Sequence, residues 1–264
     1  MKTWGCKTWS WLSVFEPYPE TDPEFNVLKA LLDILFPPHC HCCKAFIPDA
    51  GAIHLCNACQ DACALIRSPL CSICGIPFLT AGGEDHICGG CITEPPRFTA
   101  ARGAALFEGP IRELIHRFKY NGRVQLCRPL ALLAARQLKS FTEEYSPDLL
   151  IPVPLHVKRL RQRSFNQAVL LGEILAREWR LPFSRRNLRR IRWTEPQINL
   201  SAAERVANVR GAFSVNAPDL IKDRRIILVD DVFTTGSTAA ECARVLLKAD
   251  AAAVIVITIA RAPQ

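Results

Sequence analysis

The chain has 264 residues, 49% of them hydrophobic and 22% charged, with a net charge of +8; this composition supports a buried core and excludes a disordered or fibrous chain. The basic excess favours an anionic partner, either a polyphosphate ligand or a nucleic-acid backbone, without selecting between them. No apolar run approaches the roughly 20 residues that cross a bilayer, and no basic start, apolar run and small-residue site open the chain, so no membrane span and a cytoplasmic location are expected.

Residues 1–24 carry Trp4, Trp9 and Trp11 but neither helical nor strand period, and read as a poorly ordered extension. Residues 25–36 place apolar side chains at helical spacing before Pro37 and Pro38, which predicts a docking helix. Beyond it the cysteines take over. Eleven of the thirteen precede residue 92, and in a chain without a secretory signal that density points to metal rather than disulfides.

Four C-x-x-C pairs stand out: Cys40/Cys43, Cys56/Cys59, Cys71/Cys74 and Cys88/Cys91, separated by 12, 11 and 13 residues. Two thiolates three residues apart on a tight turn can face one ion, and tetrahedral zinc needs two such pairs. Four pairs therefore predict two structural Zn²⁺ ions, closed to water and substrate by four thiolates each. The spacing suits sequential pairing into two ribbons and also admits a cross-braced scheme. Cys42, Cys63, His39, His41, His54 and His86 lie in the same region and are alternative ligands, with Cys42 and Cys63 better read as filling space. The organisation expected is an extension over 1–24, a docking helix with a double zinc ribbon over 25–97, and a larger domain over 98–264.

From residue 98 short apolar runs alternate with amphipathic stretches, predicting strands over 100–107, 149–153, 226–229 and 253–259 and helices over 110–119, 128–139, 166–179 and 237–249. An α/β fold with a mostly parallel sheet covered by helices follows. Between residues 156 and 192 eleven Lys or Arg face only two Glu, so this segment accounts for the basic excess of the chain. Phe165, Trp179, Phe183 and Trp193 are interleaved with it, a pattern that can stack on single-stranded bases.

The segment 226–238 carries the chemistry. An apolar strand is read to stop at Asp230 and Asp231, and Thr234, Thr235, Gly236, Ser237 and Thr238 then lead into a helix. Ligands of open α/β sheets bind at such strand ends. Backbone N–H groups at a helix start, a glycine and four hydroxyls make a nest for a phosphate monoester, where a plain N-cap would need one hydroxyl. The carboxylates suit the vicinal hydroxyls of a ribose and the waters of Mg²⁺. Neither G-x-x-x-x-G-K nor G-x-G-x-x-G is present here, which excludes a nucleoside-triphosphate P-loop and a dinucleotide fingerprint.

The run VDDVFTTGST resembles the phosphoribosyl diphosphate motif of type I phosphoribosyltransferases. Pro152-Val153-Pro154-Leu155-His156 with the following KRLRQRSFNQ, the segment from Pro196 to Phe213, and Phe118-Lys119-Tyr120-Asn121-Gly122 are similar to three signatures of the ComF family, whose members also begin with a double zinc ribbon. Ser164 stands where that family usually has Gly, and the Trp-rich leader is not part of its pattern.

The resemblance implies a type I phosphoribosyltransferase fold that binds phosphoribosyl diphosphate with Mg²⁺. Asp230 and Asp231 would hold ribose and magnesium, and Thr234 to Thr238 the 5′-phosphate. Val153, Pro154 and Leu155 would approach the pyrophosphate through their backbone, with Lys158, Arg159, Arg161 and Arg163 neutralising it. The stretch 192–210, with Arg205, would be a mobile lid. The resemblance also implies a part in DNA uptake during natural transformation, with single-stranded DNA and proteins of the uptake machinery as partners. An active transferase of nucleotide or base metabolism and a ligand-regulated scaffold are the other expectations.

Overall fold

The computed structural model describes residues 31, 34–48, 53–80, 82–194 and 201–263. The Trp-rich leader and most of the expected docking helix lie outside these residues. From His39 onward the described chain forms one compact unit.

At its centre lies a four-stranded parallel sheet in the order β1 (Ala100–Leu106), β6 (Ala253–Arg261), β5 (Arg225–Phe233), β2 (Leu149–Pro152). The middle strands are apolar without alternation because both faces are covered: Ile227 and Val229 belong to one core cluster, Ile226 and Leu228 to the other, and all four are at most 1% exposed. On the first face pack α3 (Gly109–Tyr120), α4 (Cys127–Gln137), α5 (Lys139–Tyr145) and α7 (Gln167–Glu178). The second face is covered by α9 (Ser237–Lys248) and by a two-stranded antiparallel ribbon of β3 (Leu188–Arg190) and β4 (Phe213–Val215). The parallel α/β architecture expected from the sequence is the one observed.

The cysteine modules carry two one-turn helices, α1 (Asn57–Asp61) and α2 (Gly89–Thr93). Both modules rest on β1. Ala101 N–H donates to Ile73 O at 2.6 Å, Ile66 N–H to Ala104 O at 3.1 Å and Leu106 N–H to Ala64 O at 2.8 Å. The approach is so close at Gly75, with φ of +72°, that a Cβ there would lie 2.3 Å from Ala101 O; only glycine fits both the backbone and the space.

Three differences from the expected elements have local causes. First, β5 does not stop at Val229 but runs through the carboxylates to Phe233, because β6 offers partners along its whole length: Asp230 sits beside Thr258, Val232 beside Ala260 and Phe233 beside Arg261. Second, the helix read over 128–139 breaks at Leu138, after which α5 begins. Third, α6 (Val157–Arg163) and α8 (Ala202–Val209) form where no helix was expected; α6 has no apolar period, buries no residue and starts on the His156 side chain, which accepts from Lys158 N–H at 3.3 Å, whereas the short α8 does carry its apolar residues at helical spacing. Half of the expected lid is thus the helix α8, opened by a reciprocal capping box between Ser201 and Glu204, while residues 195–200 lie outside the described set.

Candidate functional site

Two groups of four thiols come together, Cys40, Cys43, Cys56 and Cys59 in one and Cys71, Cys74, Cys88 and Cys91 in the other, with the sulfurs of each group all within 4.8 Å of one another. The pairing is sequential; the cross-braced alternative does not occur. A tetrahedron with Zn–S bonds of about 2.3 Å has S–S edges of about 3.8 Å, and the Cys43–Cys56 and Cys74–Cys88 sulfurs stand 3.6 and 3.8 Å apart. Cys42 and Cys63 stay outside both groups. The Cys63 thiol donates to Cys59 O at 3.1 Å.

The backbone prepares the thiolates. Cys56 N–H donates to Cys40 Sγ at 3.4 Å, and the N–H groups of Cys74 and Cys88 donate to Cys71 Sγ at 3.4 and 3.3 Å. Burial alone raises the Cys40 and Cys71 thiols, but the backbone donors outweigh it and bring each down to about 6. The donor set and the edges fit zinc in both places, and four sulfurs leave no open position.

The second site lies at the carboxyl end of β5, in a cleft of about 1210 Å³. Its floor is the strand end and the turn into α9. Gly236 takes φ of +77° as N-cap, and a Cβ there would meet Phe233 Cζ at 2.4 Å. The aromatic ring therefore sets the turn, and glycine is required for it. Thr234, Gly236, Ser237 and Thr238 line the cleft; Thr235 does not, and its hydroxyl instead stands 3.1 Å from that of Ser237.

Because Asp230 and Asp231 are inside a strand, their side chains leave on opposite faces while both still line the cleft. Asp231, 8% exposed, meets Lys119 of α3, whose Nζ is 2.9 Å from its Oδ2. Asp230 has no such ion pair among the described residues; its Oδ1 accepts from Asp231 N–H at 2.8 Å. Burial, and then the neighbouring Asp231 charge, push the Asp230 carboxyl up to about 7, against the pull of that N–H, Lys119 and Arg190. One carboxylate is compensated by an ion pair and the other, among the described residues, is not.

The opposite wall is basic. Arg159, Arg163, Arg190 and Arg205 line the cleft together with Lys119 and Arg112. Val153 and Leu155 also reach it, whereas Pro154, Lys158 and Arg161 are not among its walls. Arg163 is held over the Tyr120 ring at 5.1 Å and donates to Gln167 Oε1 at 3.3 Å. Lys158 and Arg159 lie over Trp193 at 5.7 and 5.8 Å. Arg190, over the Phe213 ring and bonded to Thr194, has its guanidinium pKa lowered by burial first and by Arg159 next. Sequence reasoning missed Arg112, Lys119 and Arg190 as cleft residues. Lys119 stood in the Phe118–Gly122 signature, but nothing in its local pattern showed that α3 would bring it to Asp231, 112 positions away in the chain.

Much of the basic segment is engaged within the fold. Arg185 pairs with Glu173, and Arg192 donates to Asn208 O at 2.9 Å and Arg210 O at 2.7 Å. The interleaved aromatics are spent likewise: Phe165 packs on Phe118, the Trp179 indole donates to Ala135 O at 3.4 Å, and Phe183 fills the space beside Gly172. Phe165 also lines the cleft, and Trp193, which is not among its walls, lies under Lys158 and Arg159, so the four rings do not form the row of stacking rings expected.

Residues 31–92 match the double zinc ribbon domain and residues 166–264 the phosphoribosyl transferase domain. The chain is 34% identical over 211 residues to the DNA utilization protein YhgH of Escherichia coli K12, covering 78% of this chain and 90% of that one. It is 34% identical over 213 residues to Competence protein F of Haemophilus influenzae, with 79% and 90% covered. To Competence protein ComFC of Bacillus subtilis it is 29% identical over 217 residues, with 78% and 84% covered. Among the described residues no helix is long and apolar enough to cross a membrane. The two four-cysteine groups, the parallel sheet ending in an acidic pair and hydroxyl-rich turn, and identity of this extent along one continuous alignment have a single explanation: the chain belongs to the ComF family.

Proposed function

We propose that the cleft at the end of β5 binds phosphoribosyl diphosphate together with Mg²⁺, and that the protein uses this ligand in the uptake or processing of DNA. The observation that carries the reading is the division of labour around one turn. Gly236 and the start of α9 offer N–H groups and hydroxyls to a 5′-phosphate, Asp230 and Asp231 face the place of the ribose, and four arginines face the place of a pyrophosphate. Magnesium, when bound with the ligand, would offset the phosphate charge. Asp230, which has no cationic partner in contact, is the carboxylate suited to hold its waters, while Asp231 with Lys119 is suited to orient the ribose hydroxyls.

In phosphoribosyl transfer, positive charge develops on the sugar as pyrophosphate departs, and the protein's part is to position and to stabilise charge. The cleft supplies the donor half of such a reaction: carboxylates beside the sugar and guanidinium groups toward the leaving group. The DNA role rests on the names of the relatives, a DNA utilization protein and two competence proteins. Exposed Lys158, Arg161, Arg177, Arg180, Arg186 and Arg189, with Trp193, offer a surface for a single strand. Thiolate zinc sites suit a reducing, cytoplasmic setting. The reading also treats 25–97 and 98–264 as two functional parts, one folded by metal and one that binds the ligand.

Calorimetry decides the ligand. The wild type should bind phosphoribosyl diphosphate with Mg²⁺, and Asp230→Asn/Asp231→Asn should bind it at least tenfold more weakly; no heat at millimolar ligand sinks the reading. Single-stranded DNA affinity should fall with salt and with charge removal at Arg161, Arg186 and Arg189. Affinity indifferent to both would remove the nucleic-acid half.

A further inference from the structure

Arg261, the last residue of β6, is 2% exposed and is the largest fully buried side chain of the described protein. No carboxylate meets it among the described ion pairs. Its Nη1 donates to Cys74 O at 2.7 Å, and its Nη2 lies 3.7 Å from Cys74 Sγ. The flat face of the guanidinium lies over the Phe233 ring, 4.7 Å from the centroid. Phe233 is the same residue that seats Gly236 in the ligand turn. Its carbonyl is held as well, accepting from Ala262 N–H at 2.8 Å.

We propose that Arg261 is a positioning residue that couples metal occupancy of the Cys71/Cys74/Cys88/Cys91 group to the shape of the phosphate turn. Four thiolates around a divalent zinc leave two negative charges uncompensated, and the guanidinium in contact with Cys74 is the buried cation placed to offset one of them. When the metal leaves, nothing holds the four sulfurs in one tetrahedron, and the buried Arg261, which contacts both the carbonyl and the sulfur of Cys74, follows any movement of that cysteine. The group it would drag is Phe233, and through it Gly236 and the first N–H groups of α9. The route from Cys74 to Gly236 is a chain of direct contacts, Cys74–Arg261–Phe233–Gly236. Among the described residues the other cysteine group has no such link; its neighbouring Arg117, which donates to His41 O at 2.6 Å, is tied to Glu113 at 2.8 Å. The metal limb of this inference is independent of the proposed ligand, and the turn limb rests on it.

The test uses the full chain loaded with two zinc ions, challenged with a zinc-selective chelator and followed by a colorimetric zinc reporter. In Arg261→Met one of the two zinc ions should be held about 10- to 100-fold more weakly while the other is unchanged, the range seen when partners of metal ligands are removed. Arg261→Lys, which keeps the charge and loses the fork, should fall between that variant and wild type. A purely structural Arg261 would lower overall stability and leave the two ions released in parallel, which overturns the proposal. Retention of both ions at wild-type rates by Arg261→Met overturns it equally. In the wild type, saturating phosphoribosyl diphosphate with Mg²⁺ should raise the equilibrium affinity for the same ion against the chelator and not for the other, because coupling of affinities is reciprocal. Binding seen by calorimetry without that tightening removes the turn limb. Absence of any binding removes the proposed ligand and the turn limb together, while the Arg261→Met result still decides the metal limb.

Discussion

Replacing Asp230 with Asn should stabilise the ligand-free protein, and by an amount that grows with pH. The carboxyl of Asp230 sits at about 7 in the fold, raised first by burial and second by Asp231, against an ordinary value of 3.8. A group raised in this way is protonated in the native state while it is already ionised in the unfolded chain. Its burial therefore costs nothing below about pH 4, costs progressively more up to about pH 7, and is constant above. With about 1.36 kcal/mol per pH unit, the shift makes the cost about 2 kcal/mol larger at pH 8.5 than at pH 5.5; because Asp230 is half-buried and opens onto a wide cleft, solvent reduces this to about 1–2 kcal/mol. Asn keeps an oxygen that can accept from Asp231 N–H and never carries the charge. Urea denaturation of wild type and Asp230→Asn at the two pH values, with zinc present and without Mg²⁺ or ligand, measures it, and melting should shift by roughly 2–4 °C per kcal/mol. A variant less stable than wild type at pH 8.5, or a gain equal at both pH values, would refute the electrostatic reasoning. The same substitution should weaken phosphoribosyl diphosphate binding, so that a gain in stability accompanies a loss of affinity.

Lys119→Met leaves the carboxylate of Asp231 buried without its partner and should destabilise the fold by about 3 kcal/mol, and adding Asp231→Asn should restore most of it in a double-mutant cycle by urea denaturation. Gly236→Ala combines positive φ with a contact of 2.4 Å to the Phe233 ring, so it should cost roughly 1–3 kcal/mol in stability and reduce ligand affinity in calorimetry, because the N–H groups of the turn move. Ser164 closes α6 in the left-handed region at φ of +65°, and Ser164→Gly should raise stability by about 0.5–1 kcal/mol in thermal melts, a loss of stability being evidence that its side chain has a role beyond the turn.

Long regular elements were legible because burial and period coincide in them. The helix expected over 110–119 is Gly109–Tyr120, the one over 166–179 is Gln167–Glu178 and the one over 237–249 is Ser237–Lys248. The four strands were found in place for the same reason. What failed was everything decided by a distant partner. Nothing near Asp230 shows that β6 extends far enough to hold it in a strand, and a pair of adjacent acids reads naturally as the end of one. The short β3–β4 ribbon and the polar α6 have too few apolar positions for any period to register. In the site, the turn residues could be named because phosphate chemistry restricts them to glycine and hydroxyls. The cations could not, because Arg and Lys look alike whether they line a cleft, as Arg159 does, or close an internal contact, as Arg192 does on the carbonyls of Asn208 and Arg210.

The adjacency of Asp230 and Asp231 acquires its meaning from the strand. On a flexible loop the two carboxylates would share one environment and repel each other wherever they went. The pleat of β5 sends them to opposite faces instead, and the surroundings treat them differently: Lys119 pairs with Asp231, while burial and the Asp231 charge push the Asp230 carboxyl up to about 7 and no ion pair among the described residues holds it. An unbalanced carboxylate beside a basic wall is an electrostatic asymmetry that a ligand carrying both a cation and phosphates would complete, with its metal toward Asp230 and its pyrophosphate toward Arg159 and Arg163. The same asymmetry sets the order of sensitivity. Charge removal at Asp230 should act mainly on the metal dependence of binding, seen as a higher Mg²⁺ requirement in calorimetry. Charge removal at Asp231 should release Lys119 into the cleft and act on affinity at every Mg²⁺ concentration. Equal responses of the two variants to Mg²⁺ would mean that the pleat does not divide their roles.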